Sequence, residues 1–206
     1  MVDADKLTDP ERDALREIAN IGAGHAATAL SQMTGRKIMI DVPEVEVKRL
    51  EEAAELLGPP ATIVAAVLMH MMGDLTGRTL LVLPEVSARG LCDILLRRSE
   101  PGPGFTEMQR STVMETGNIL CSAYLNALSD FMGMMLVPSV PALVVDQAGA
   151  VLTTAYLNFG HSRDYVICVE TSFRIAGSDD SVQGQFILMP DTASLTAIFD
   201  AIHLAK

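Results

Sequence analysis

Two glutamates in this 206-residue chain each stand three residues before an asparagine: Glu17 before Asn20, and Glu115 before Asn118. On a helix, residues three apart are surface neighbours, so each pair sets a carboxylate beside a carboxamide. The carboxylate can pair with a cation on a partner. The carboxamide both donates and accepts hydrogen bonds, so it can hold a water in a chosen direction. Hydrolysis of an acyl phosphate needs little more than a water in line with phosphorus and charge stabilisation around it. Asn20 and Asn118 are the candidates for orienting that water. Glu17 and Glu115 are the candidates for fixing the docking geometry, not for acting as bases. A single pair of this kind is an ordinary solvated helix face, so the weight falls on its being doubled.

The surroundings are doubled too. Residues 17–35 read EIANIGAGHAATALSQMTG and residues 115–133 read ETGNILCSAYLNALSDFMG; seven of nineteen positions agree at an offset of 98. Asp13 and Ser111 precede the two glutamates by four residues, and Pro43 and Pro141 follow the two asparagines by 23. Later, LLVLP ends at Pro84 and FILMP at Pro190, each followed by an acidic residue and a short helical pattern. Duplication is the simplest account. It predicts one pseudo-two-fold domain over residues 1–206, with repeats at about 9–98 and 106–204. The break is the linker 99–105, where Ser99-Glu-Pro-Gly-Pro-Gly104 interrupts regular structure.

The elements that must carry the motifs are two long helices, 9–34 and 106–133. Thr8 or Asp9 caps the first, with Pro10 in its first turn, and Thr106 caps the second. On a wheel, Asp13, Glu17, Asn20, Gly24, Thr28 and Ser31 form one stripe, opposite Leu15, Ile18, Gly22, Ala26, Ala29 and Met33. In the second helix Ser111, Glu115, Asn118, Ser122, Asn126 and Ser129 oppose Val113, Leu120, Tyr124, Ala127 and Phe131. Both helices should bury one face and turn the motif to solvent. Residues 37–48 read as extended, 50–57 as a short helix, and 62–72 and 78–83 as strands. Residues 85–98 read as a helix, 150–159, 164–175 and 184–189 as strands, and 191–204 as a closing helix. This is an α/β fold of layered α+β type.

Composition closes off other classes. Net charge is −11, which repels a phosphate backbone or an anionic membrane surface. The three cysteines, Cys92, Cys121 and Cys168, are odd in number and widely spaced, which points to reduced thiols and a cytoplasmic location. The acidic start is no signal peptide, and the apolar stretch 61–72 is too short for a bilayer span, so no membrane insertion is expected. Gly22-Ala-Gly24 lacks the ending of a phosphate loop; Gly22 reads as close helix packing and Gly24 as room for a partner. His25, His70, His161 and His203 are scattered, and Met69-His70-Met71-Met72 alternates across a strand. No metal site is expected.

Asp/Ser-x-x-x-Glu-x-x-Asn followed by a proline resembles the signature of the CheC/CheX/FliY phosphatases. It occurs as Asp13, Glu17, Asn20, Pro43 and as Ser111, Glu115, Asn118, Pro141. Asn20-Ile-Gly-Ala-Gly and Leu125-Asn-Ala-Leu-Ser-Asp-Phe resemble the CheC branch in particular, which carries two motifs in a chain of this length. The resemblance implies long motif-bearing helices packed on a largely antiparallel sheet. It implies a hydrolase acting on the aspartyl-phosphate of the response regulator CheY. Glu17 and Glu115 would pair with a regulator lysine, and Asn20 and Asn118 would position the attacking water. Asp13 and Ser111 would contact the partner. Mg²⁺ would be held by the regulator, with no cofactor bound by this chain. It also implies a second partner, the deamidase CheD, contacted by Pro141-Ala-Leu-Val-Val-Asp146 with Asp146 as anchor. Two rival roles follow from the same resemblance: a CheD-binding adaptor with weak phosphatase activity, and a structural role as in flagellar switch proteins.

Overall fold

Local chemistry fixes the ends of the two long helices. A computed structural model describes residues 7–97, 102–157, 165–176 and 181–204. Helix α1 runs Asp9–Thr34 and α4 Glu107–Met132; both ends differ by the same 98 residues. At the start of α1 the Glu11 carboxylate accepts hydrogen bonds from the Thr8 N–H and hydroxyl, each at 2.7 Å. At the start of α4, Thr106 and Gln109 close a reciprocal capping box at 3.2 and 3.0 Å. Gly35 and Gly133 end the helices at φ 64° and 65°, a left-handed conformation that glycine adopts without a Cβ clash.

Between and after them lie β1 (Ile38–Asp41), β2 (Val45–Arg49), α2 (Leu50–Ala53, continued by a 3-10 turn to Leu57), β3 (Ile63–Gly73), β4 (Gly77–Pro84) and α3 (Glu85–Leu96). The second half supplies β5 (Leu136–Pro138), β6 (Ala142–Gln147), α5 (Ala148–Leu157), β7 (Tyr165–Ile175), β8 (Ser181–Pro190) and α6 (Thr192–Leu204). Residue 98 of the expected helix, residues 99–101 of the expected linker, His161 and Asp164 lie outside the described residues.

The eight strands form one antiparallel sheet, ordered β1-β7-β8-β4-β3-β5, with β2 also on β7 and β6 also on β3. The halves therefore exchange edges. β1 and β2 of the first half pair with β7 of the second, and β5 and β6 of the second pair with β3 of the first. β4 and β8 join the halves at the centre. One sheet face and α1, α3, α4 and α6 enclose the main core, including Leu30, Leu83, Leu91, Leu120 and Ile198, all fully buried. Each such side chain contributes about 1.5–3 kcal/mol by burial. The other face is covered in part by α2 and α5 over Val64, Ala66, Leu80, Val82 and Ile187.

Two expectations are corrected here. Residues 150–157 are helical, not a strand; residues 158 and 159 lie outside the described residues. Val151, Thr153 and Thr154 favour a strand by type, but tertiary contacts decide. The Ala148 and Gly149 N–H groups donate to Thr62 O and Pro60 O, Ala148 and Val151 are buried, and both threonine hydroxyls bond back to carbonyls four residues earlier. Met33 and Phe131, placed on the buried side by the wheel, are 49% and 37% exposed. Both sit in a last turn, at the flank of the buried arc. The short strand β5 had no counterpart among the expected strands.

Candidate functional site

The motif helices lie side by side on the sheet. Gly22 of α1 faces Tyr124 of α4 so closely that a Cβ there would lie 2.4 Å from Tyr124 Cδ1. Leu15, Ile18 and Ala19 share a small apolar cavity with Tyr124, Leu125 and Leu128. The N-terminal half of α1 thus lies beside the C-terminal half of α4. The helices run antiparallel, and the two Glu-x-x-Asn motifs lie toward opposite ends of the pair.

On α1, Asp13, Glu17, Asn20, Gly24 and Thr28 are all exposed. On α4, Ser111, Glu115 and Asn126 are exposed, while Asn118 and Ser122 are half-buried. No hydrogen bond or ion pair with another described residue engages the side chains of Glu17, Asn20, Glu115 or Asn118. Among the described residues, each motif therefore leaves its carboxylate and carboxamide without a partner. Ser31 and Ser129 leave the polar stripes and serve the fold instead. The Ser31 hydroxyl donates to Ala27 O and accepts from the Ile38 N–H, tying α1 to β1, and Ser129 bonds Met134 O.

The two faces are not equivalent. Below the second, Gly117 lets α4 press onto β3: a Cβ at 117 would meet Val67 Cγ1 at 2.6 Å. The counterpart of Gly117 in α1 is the buried Ala19. α4 is also flanked more closely, with Met114 half-buried and Leu125 buried where α1 has exposed Arg16 and half-buried Ala27. Asn118 consequently sits lower in its surroundings than Asn20. Gly24 has open space around it, with nothing within 4 Å of a Cβ.

Beside the first motif is a cleft of about 390 Å³, lined by Asp9, Arg12, Asp13 and Arg16 of α1 and Glu44 to Val47 of the β1–β2 connection and β2. Sequence reasoning passed over Arg12, Arg16, Glu44 and Glu46. The signal available to it was the loss of charge at the repeat equivalents of the last three, Met114, Ala142 and Val144.

Asp146 stands apart from both motifs. It is exposed on β6, opposite Val64 of β3, and its Oδ1 accepts from the Gln147 N–H at 2.7 Å. With Arg78 it borders a small apolar cleft of about 80 Å³ on the sheet face away from α1 and α4, lined also by Leu68, Leu80, Val144 and Val151. Met69 and Met71 are buried and His70 and Met72 exposed, the alternation of a strand. Among the described residues, no three His, Cys, Asp or Glu side chains gather as they would around a metal ion. No helix among them is long and apolar enough to cross a membrane.

The chain matches the CheC-like family over residues 11–47 and 108–145, which contain both motifs. It is similar to the CheY-P phosphatase CheC of Bacillus subtilis, with 31% identity over 199 residues and 95% of each chain covered. It is also similar to the putative CheY-P phosphatase CheC1 of Halobacterium salinarum, at 22% identity over 91% of this chain and 94% of the other. Among solved structures it shares the fold of Thermotoga maritima FliY, with a TM-score of 0.76, 22% identity, and 98% of this chain and 100% of that one covered.

Proposed function

The chain belongs to the CheC-like family, and from that premise we propose that it is a chemotaxis phosphatase hydrolysing the aspartyl-phosphate of the response regulator CheY. The observation that carries this reading is the pair of outward Glu-x-x-Asn faces, whose functional side chains make no bond with another described residue. Glu17 or Glu115 pairs with a lysine of the docked regulator and fixes its orientation. Asn20 or Asn118 then enters the regulator's site and holds a water against the phosphorus. Water attacks, the bond between phosphorus and the aspartyl oxygen breaks, and inorganic phosphate and a free carboxylate result. Asp13 and Ser111 lie one turn before the glutamates and contact the regulator's rim. Mg²⁺ belongs to the regulator's half of the site and supplies charge stabilisation there. Positioning and electrostatics suffice because phosphoryl transfer needs little covalent help.

The test is the decay of phosphorylated CheY with wild type, Asn20→Ala, Asn118→Ala and the double variant. Both asparagines lie off the core, so the fold should survive these changes. Loss of acceleration in the double variant alone establishes two working sites, and loss in one single variant identifies the dominant one. A double variant as active as wild type refutes water positioning by these side chains.

A second reading, as a CheD-binding adaptor, is favoured by one observation: exposed Asp146 at the edge of the apolar cleft on β6. In that reading CheD docks on the Pro141–Asp146 segment. Asp146→Lys should then abolish CheD binding and leave phosphate release intact, since Asp146 projects from the sheet face opposite α4.

A further inference from the structure

The first face carries charge that no other described residue neutralises. Arg12, Asp13, Arg16 and Glu44 line its cleft, and no ion pair or side-chain hydrogen bond with another described residue engages them. Glu46 is held by Lys48 at 2.9 Å. The lining as a whole sets four carboxylates, Asp9, Asp13, Glu44 and Glu46, against two guanidiniums. At three equivalent positions the second face has lost its charge, with Ser111 for Asp13, Met114 for Arg16 and Ala142 for Glu44, while Glu107 and Arg110 keep the charges of Asp9 and Arg12. One turn before Ser111 stands Met108, 51% exposed, and the adjoining connection carries Val140, 86% exposed, where the first half has buried Val42 at 9%. Pseudo-symmetry has kept the Glu and Asn at both sites while the rims have diverged in chemical character.

We propose that the two faces engage the phosphorylated receiver domain by different physics: the first through charge, with Asp13, Arg16 and Glu44 as specificity-determining residues, and the second through apolar contact by Met108, Met114 and Val140. The proposal rests on the reading that both faces dock such a domain. The occupant of the first face is a receiver whose docking surface carries basic side chains, matching the acidic excess of the cleft. Exposed charges act over a screening length of about 8–10 Å at physiological salt, so docking through them weakens as salt rises. Apolar contact holds or tightens under the same conditions. A family of regulators differing in surface charge is thereby sorted between the two faces.

Asn118→Ala leaves the first face to report alone, and Asn20→Ala the second. Decay of the phosphorylated regulator is followed with each from about 50 to about 500 mM NaCl, spanning long to short screening lengths. Acceleration through the first face should fall on the order of tenfold and through the second by less than about twofold. Adding Arg16→Met and Glu44→Ala to the Asn118→Ala variant should flatten its dependence, and adding Met114→Arg to Asn20→Ala should steepen it. Binding of a beryllofluoride-activated regulator is measured in parallel with the same rim variants. Equal salt slopes at both faces, with acceleration intact, overturn the inference and leave the phosphatase standing. Absent acceleration, with binding whose salt slope the Arg16→Met and Glu44→Ala pair flattens, overturns the phosphatase and supports the inference. If only one face catalyses, the binding slopes decide in the same way. No binding at low salt overturns both.

Discussion

Gly22 and Gly24 lie two residues apart on α1, and replacing each with alanine should move stability in opposite directions. In a helix interior either change recovers about 0.5–1 kcal/mol of backbone propensity. At Gly24 nothing opposes that gain, because no atom lies within 4 Å of the new Cβ. At Gly22 the new Cβ would lie 2.4 Å from Tyr124 Cδ1 and 3.0 Å from Tyr124 Cα. The ring could turn, but the backbone atom can be relieved only by moving the helices apart. Tyr124 is also fixed by Phe186, with ring centroids 4.6 Å apart, and its hydroxyl lies 3.4 Å from Thr171 Oγ1. Overpacking of this kind costs about 1–3 kcal/mol, so Gly22→Ala should come out net destabilising by about 1–2 kcal/mol. For a chain of this size that lowers the melting temperature by about 3–6 °C, while Gly24→Ala raises it by about 2–3 °C. Calorimetry of the two variants beside wild type measures both signs. A Gly22→Ala protein as stable as wild type would refute the close α1–α4 approach and the antiparallel placement of the two motifs built on it. Gly24→Ala should still weaken regulator binding, since it adds bulk to the exposed motif stripe.

Three further outcomes follow from the buried groups and the exchanged sheet edges. Burial pushes the Cys121 thiol up to about 11, against the pull of Thr79, and the Cys168 thiol up to about 12. Both should resist alkylation at pH 8 until the chain unfolds, and rapid native labelling would contradict the packing. Burial likewise pushes the Tyr124 phenol up to about 12 from 10.0. The native state then keeps a proton that the unfolded chain releases, so this stability is whole below pH 10.0 and is lost as pH rises toward about 12. Tyr124→Phe should flatten that alkaline fall in denaturant titrations, and an unchanged slope would count against it. Finally, fragments 1–98 and 99–206 should be largely unfolded alone and recover helical circular dichroism when mixed, because each lacks the strand that its own edge strands pair with. A first fragment that folds cooperatively by itself would contradict the exchanged pairing.

What the sequence determined by itself is whatever depends on neighbours a few residues apart. The two long helices, their threonine caps and glycine ends, and the outward Glu and Asn follow from 3.6-residue periodicity and from side chains reaching their own backbone. The offset of 98 even carried a signal that went unused: it maps the short helix at Leu50–Leu57 onto α5, which residue type alone reads as a strand. What only the tertiary structure decided depends on residues far apart in the chain. Edge exchange between the halves, the helical state of α5, the closeness of α4 to β3 through Gly117, and the cleft joining Arg12 and Arg16 to Glu44 all bring together segments separated by tens of residues. The sequence holds both partners in each of these contacts. No local period or propensity says which partner each will meet, because burial against the whole sheet settles that choice.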